Sequence, residues 1–497
     1  MDKKILMQIY FLTIKECLQY KTISCVFKSS FGISDSEADV ISDKLSEFLK
    51  DFRENISLIV ETEYIDKVYR DSYYCYYSTK FKLPGRECIR LSLFDIENMQ
   101  PQHLYDVKDL TKIAGQYLGF IVVRPTLNNP VGRNVISPNA LINNNIKVCS
   151  TTVCSSIFGL ELFVTGFPHS SQDTETMTCA ETTVWSLMEY FGNKYPEYKP
   201  ILPSKILQTL ENRSHIRQVP SHGLIYEDIS YILKKQGFGT IVYLKEEADF
   251  RKTFTCYIES GIPVVAAISN GKNIHHVLLC IGRADWNSAH YETLVSTQFD
   301  KKFLYEWNNN IEEFVFIDDN MAPYQKAKFS QPTTHYNLAD WDSCEITHFI
   351  VPLYHKIYLE AKDAMDIANG IALKILNIDE KSIIKTFLVS NRSYKNYILT
   401  NPDMDIQFKD LILHENLPKF IWIMEISTVE NLKKNKIIGG ILLDATGKAH
   451  EYLASFILAY YKQDVYTYLR GEDKLKKMSS NTSFCFNAFD KNLISYN

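Results

Sequence analysis

The sequence predicts an α+β protein of more than one domain. At 497 residues the chain exceeds what one hydrophobic core normally serves. Helical periods and strand-like apolar runs come in blocks and do not alternate regularly. Turn signals built on Gly and Pro separate those blocks. Hydrophobic residues at 45% and charged residues at 23% are ordinary for a soluble globular chain.

Three regions follow in order: 1–155, 156–357 and 358–497. The first opens on MDKKILMQIYFLTIKECLQY, whose apolar run is broken by Gln8 and lacks a small-residue cleavage site. It is expected to be the first buried element of an α+β domain of unknown role. ISLIVETEYI (56–65) and YLGFIVVRP (117–125) read as strands. YIDKVYRDSYYCYYSTKF, between them, reads as a half-exposed strand pair because aromatic and polar residues alternate. Pro125, Pro130 and Pro138 mark a loop-rich exit.

The second region reads as strand, loop, three helices and then several strands. Helical spacing occurs in SKILQTLENR (204–213) and in YEDISYILKKQG (226–237), with Gly237 as C-cap. TFTCYIESGIPVVAAIS (253–269) predicts a short helix, a Gly-Pro turn and a buried strand. HHVLLCIGR (275–283) and EEFVFIDDN (312–320) predict two more strands. The third region predicts a helix over YLEAKDAMDIANGIALKIL and strands at IWIMEIS (421–427) and IIGGILLDATG (437–447). YLASFILAYY fits a helix or a strand. This region is expected to be regulatory or to recognise substrate.

Composition narrows the function classes. A net charge of −5, with only short lysine clusters near Lys433 and Lys476, argues against a nucleic-acid surface. No apolar run approaches the roughly 18 residues of a membrane span. The 11 cysteines are odd in number and include no CxxC pair. That disfavours a disulfide framework or a structural zinc site and fits a reducing, cytoplasmic compartment.

One cysteine stands apart. In SQDTETMTCAETTVWSLMEYFG (171–192), Val184, Leu187, Met188 and Phe191 form one apolar helical stripe. Thr176 or Thr178 can cap the start. Cys179 then occupies the first turn, where free N–H groups and the helix dipole favour a thiolate. A nucleophile also needs a base and a group to orient it. His276 opens an apolar strand. His275 should point to the opposite face, and His348 is a third candidate. Asp318 and Asp319 end the strand FVFIDDN and can accept an imidazole N–H, with Asp319 preferred from its offset in the strand. The Cys179 amide and the Gln172 side chain are candidate oxyanion donors. A zinc site from Cys179, His275 and His276 is disfavoured, because adjacent residues of a strand point apart. Glu181 and Glu189 read as solvated, Trp185 as core. The loop RQVPSHGL (217–224) could line a cleft or merely connect.

Gln172, Cys179-Ala180, Gly261-Ile-Pro263-Val-Val265, His276-Val-Leu-Leu-Cys-Ile-Gly282 and Val315-Phe-Ile-Asp-Asp319 occur in an order that resembles the papain-like cysteine peptidases. The nearest likeness is to the bacterial branch typified by bacteriocin-leader peptidases. The resemblance covers about 170–325. His275 stands where that branch usually has Gly, and Ala180 also replaces a usual Gly. The resemblance implies a Cys-bearing helix packed on an antiparallel sheet, here flanked by two further α/β domains. It implies Cys179 as nucleophile, His276 as base, Asp319 as orienting acid and Gln172 as oxyanion donor. It implies no metal or organic cofactor, and a protein or peptide substrate cut at a peptide or isopeptide bond. An acyltransferase or transglutaminase-like enzyme would use the same groups with an amine as acceptor. A catalytically silent papain-like fold kept for binding is the third reading. The flanking domains could engage a regulatory partner.

Overall fold

Three large sheets, almost wholly antiparallel, are stacked with helices between them. The computed structural model describes the chain apart from residues 1–7, 20–21, 106, 212, 214–219, 222, 286–295, 300–301, 380, 448–453, 469–474, 481 and 497. The mixed α+β class expected from the sequence is what the chain adopts. Among the described residues no helix is long and apolar enough to cross a membrane.

The N-terminal sheet orders its strands Ile9–Thr13, Ser57–Tyr64, Cys88–Phe94, Tyr117–Val123, Val131–Ile136, Leu160–His169 and Thr151–Ile157. Cys88–Phe94 and Tyr117–Val123, in the middle of the sheet, are buried on both faces, which explains apolar runs without alternation. Leu58 and Val60 join a core with Phe27 and Leu45 of the helices Thr22–Phe31 and Asp35–Leu49. Ile59 faces the other way, among Tyr69, Tyr73 and Tyr77. Those tyrosines overturn the expected strand pair, because Lys67–Cys75 is a helix followed by a 3-10 turn, Tyr77–Thr79. The four-residue spacing of the three rings puts them on one face, with centroids 6.0–6.3 Å apart. Asp66 caps the start by accepting Val68 N–H and Tyr69 N–H at 3.0 and 2.9 Å.

The central sheet runs Gln325–Lys328, Glu313–Ile317, His275–Ala284, Val264–Ser269, Glu345–Tyr354 and Phe238–Leu244, every pair antiparallel. Its side chains alternate between two faces, with register shifts at Ala267/Ile268 and at Cys280/Gly282. Val265, Val277, Leu279, Ile281, Val315 and Ile317 pack toward the helix Cys179–Lys194. Val264, Leu278, Cys280, Phe314 and Phe316 pack toward the helices Phe250–Glu259 and Ala361–Lys374. The Cys179 helix is thus held between two sheets and is buried from Ala180 to Phe191 on every side. Trp185 is core, as expected. Glu181 and Glu189, expected to be solvated, are 1% and 4% exposed.

The third sheet contains Ile383–Ser390, Phe420–Ser427, Gly439–Asp444 and Phe456–Tyr461, so the described part of YLASFILAYY supplies a strand. The sheets cross the divisions expected at 155 and 357. Thr151–Ile157 and Leu160–His169 form one hairpin inside the N-terminal sheet. Lys302–Glu306 pairs in parallel with Ile383–Ser390 of the third sheet. The last strand, Ile494–Tyr496, pairs with Ile146–Val148, which pairs with the far end of the His276 strand.

Candidate active site

Cys179 is the first residue of its helix and is half-buried. Thr178 caps the helix. Its backbone N–H and its hydroxyl both donate to Glu181, a capping box. The hydroxyl of Ser221 donates to the other oxygen of Glu181, so Glu181 is buried because it is used. Ser221 is in the described part of the loop RQVPSHGL; residues 217–219 and 222 lie outside the described residues.

The approach to Cys179 is tied down by Asp173, 4% exposed. Its Oδ1 accepts the backbone N–H groups of Glu175, Thr176 and Met177 at 2.9, 2.7 and 2.8 Å. The N-terminal region holds the same loop from below. Arg124 donates to Ser171 O at 3.1 Å, and Thr176 donates to Ser72 Oγ at 3.2 Å. Removing the Asp173 carboxylate strands three amides, two of them, Thr176 and Met177, buried. Asp173→Ala should therefore cost about 3 kcal/mol of stability in urea unfolding, with Asp173→Asn milder because one acceptor survives.

His276, buried at the start of its strand, feels the Cys179 side chain, which helps to keep its ring protonated. Its Nε2 donates to Asp318 Oδ1 at 3.0 Å, which leaves Nδ1 as the nitrogen for the thiol. Asp318 sits just past the strand Glu313–Ile317 and is fully buried. The same Oδ1 accepts Asn320 N–H at 3.0 Å, and Oδ2 accepts His335 Nε2–H at 2.9 Å. The backbone carbonyl of Asp318 is also held, accepting from His169 Nε2–H at 3.0 Å. Burial pushes the His169 pKa down to about 4, so its ring is neutral. Its Nδ1 then accepts from the Asn134 amide at 2.9 Å.

These contacts correct the choice of acid. Asp319 Oδ1 is 3.6 Å from His276 Nε2, against 3.0 Å for Asp318, and neither Asp319 oxygen has a hydrogen-bond donor among the described residues. Counting two residues per pleat favours Asp319, but the strand ends at Ile317 and alternation no longer applies beyond it. Burial, aided by the Asp318 charge and opposed by His276, pushes the Asp319 carboxyl up to about 7. Burial also tends to raise Asp318, but the charges and hydrogen bonds of His276 and His335 outweigh it and hold that carboxyl far below its usual value. For His276, burial works to lower the pKa. The charge and hydrogen bond of Asp318, with smaller contributions from Cys179 and Asp319, more than reverse that, and the ring stays protonated well above its ordinary range.

The other sequence candidates fall as follows. His275 is exposed on the face opposite His276 and does not compete with it. His348 stacks on Tyr226 with ring centroids 4.5 Å apart. Gln172 is half-buried; its backbone N–H donates to Asp319 O at 3.3 Å and its side-chain amide donates to Asn320 Oδ1. That places it beside the acid loop with one amide hydrogen left to donate. Ligand atoms of His276, Asp318 and Asp319 lie close enough to share one ion, though His276 would have to release Asp318 to bind it. The zinc triad of Cys179, His275 and His276 does not converge, because His275 faces away.

Sequence reasoning missed His335, Tyr336 and Trp341. Tyr336 and Trp341 stack at 3.7 Å and 5°, and Trp341 meets the His276 ring edge-on at 5.6 Å. The Tyr336 hydroxyl is 3.4 Å from His276 Nε2. Together they shield the His276–Asp318 bond from water, which strengthens it. They lie on a short-turn segment between strands with no periodicity, so no pattern marks them. The chain matches no protein-family model, and no curated protein matches it significantly.

Proposed function

We propose that the chain is a cysteine-dependent hydrolase of peptide or isopeptide bonds, with the papain-like arrangement that its central motifs resemble. The observation that carries this reading is one chain of contacts. A half-buried cysteine at a helix N-terminus acts on His276, which donates to the triply held carboxylate of Asp318. The Cys179 sulfur attacks the substrate carbonyl, with its proton held on His276 Nδ1. The oxyanion is met by the Cys179 backbone N–H and by Gln172, once its free amide hydrogen turns to the substrate. His276 then gives its proton to the leaving amine, and the thioester forms. Water, deprotonated by His276, attacks the thioester and releases the acid and the free thiol. Asp318 keeps the tautomer and stabilises the imidazolium. The Tyr336–Trp341 stack keeps this proton path dry.

Alkylation with iodoacetamide at neutral pH, mapped by peptide, tests the reading. Cys25, Cys75, Cys154 and Cys485 are exposed and serve as internal controls. Cys179 should react at least about ten times faster than any of them, since the thiolate is the reacting species. Hydrolysis of a peptide library should vanish in Cys179→Ala. Equal or slower labelling of Cys179 would overturn the proposal.

A further inference from the structure

A cavity of about 300 Å³ lies where the central and third sheets meet, capped by the chain's C-terminal segment. Its size is at the lower end of small-molecule sites. The His276 strand runs from the candidate active site at one end to Arg283 in this cavity at the other.

Its charges are arranged unequally. Glu259, 4% exposed, takes two cations: Arg283 Nε at 2.5 Å and Lys385 Nζ at 2.8 Å. Arg283 also lies 3.7 Å from Asp285, which Lys147 reaches at 3.5 Å, so three cations meet two carboxylates and the cluster carries one excess positive charge. Glu425, also 4% exposed, is the direct cross-strand neighbour of Lys385, yet the lysine turns to Glu259. Among the described residues no ion pair reaches Glu425; its Oε1 accepts Phe489 N–H at 2.7 Å. Burial, opposed by Lys385 and abetted by Asp490 and Glu259, raises its carboxyl to about 7. Trp307, Phe387 and Phe489 add ring surface to the wall.

We propose that this cavity binds a small zwitterion of the free amino-acid class, its ammonium on Glu425 and its carboxylate on the cationic cluster around Arg283 and Lys385. A ligand with only a negative charge would leave Glu425 buried without a cation. One with only a positive charge would meet Arg283 and Lys385. Burying an unpaired charge is costly, so a ligand carrying both signs is selected over either. The inference does not depend on the hydrolase reading, because its test is binding.

The experiment is a thermal-shift screen of the full chain with each common L-amino acid at millimolar concentration, followed by calorimetry on the best binder. The expected result is one or a few amino acids that raise Tm. The decarboxylated amine and the deaminated acid of the same compound should bind at least ten-fold more weakly. Glu425→Gln should also weaken binding at least ten-fold. The analogue arms use the unaltered protein, so they hold even if that variant folds poorly. No stabilisation by any amino acid, or equal binding of either single-charge analogue, would overturn the proposal.

Discussion

Asp318→Asn is expected to lower kcat/KM toward a peptide substrate by about 10²- to 10⁴-fold, and Asp319→Asn by less than about ten-fold. The contrast follows from what each carboxylate touches. Asp318 accepts from His276, Asn320 and His335, so an amide in its place presents N–H hydrogens to at least one donor. His276 would then turn or change tautomer, and Nδ1 would no longer be the basic nitrogen. Asp319 makes no such bond, and at neutral pH it is substantially protonated because burial raises it to about 7. Asparagine resembles that neutral form. A pH signature accompanies it. The folded state keeps a proton on Asp319 that the unfolded chain, with an ordinary pKa of about 4, has released. Stability is therefore gained below about 7 and falls as pH rises from about 4 through 7, because the native state binds the extra proton. Asp319→Asn should flatten that part of the stability profile, read by urea midpoints between pH 4.5 and 8. Equal losses of activity in both variants would show that the acid is shared and would contradict the geometry.

Much of this site can be read from the chain because its chemistry is local. Cys179 is marked by a helix stripe and a cap, and His276 by an apolar strand, both set by neighbours within a few positions. Period and capping do not reach past a strand end, and there the acid lies one residue from where alternation puts it. His335 comes from a turn and His169 from the N-terminal sheet; both are united with Asp318 only by tertiary folding. The tyrosine-rich segment misleads for a different reason. Its rings satisfy alternation over short windows, but the four-residue repeat Tyr69, Tyr73, Tyr77 decides the structure. The buried glutamates mislead because a helix sandwiched by two sheets has no solvent face to place them on. The same sandwich gives the N-terminal sheet and its helices a role that their sequence does not suggest. Through Arg124, Ser72 and His169 they hold the loops carrying Gln172 and Asp318, so this layer positions the candidate site and is more than an appendage.

Gly282→Val is expected to destabilise the protein by about 3 kcal/mol or more, the upper end of the range for a forced backbone shift in a packed core. Gly282 lies on the His276 strand opposite Val148. A Cβ there would sit 2.1 Å from Lys147 O and 2.7 Å from Val148 Cα, both backbone atoms that cannot swing aside. To make room, Ile146–Val148 must separate from the strand, taking with it the Cys149 N–H bond to Ile281 O at 2.8 Å. Ile494–Tyr496, which among the described residues pairs with Ile146–Val148 alone, would lose its partner as well. The side chain of Tyr496, whose hydroxyl donates to Ser150 Oγ at 3.2 Å, would go with it. Gly115→Ala is the matched control, since nothing lies within 4 Å of where its new methyl group would sit and its φ is not in the left-handed region. Its stability should change by less than about 1 kcal/mol. Urea unfolding of both variants checks the pair, and proteolysis checks the route: release of the C-terminal residues should be faster in Gly282→Val alone. A Gly282→Val protein as stable as the parent would mean that Ile146–Val148 is not seated against the His276 strand, and that the C-terminal segment is not what closes this side of the sheet.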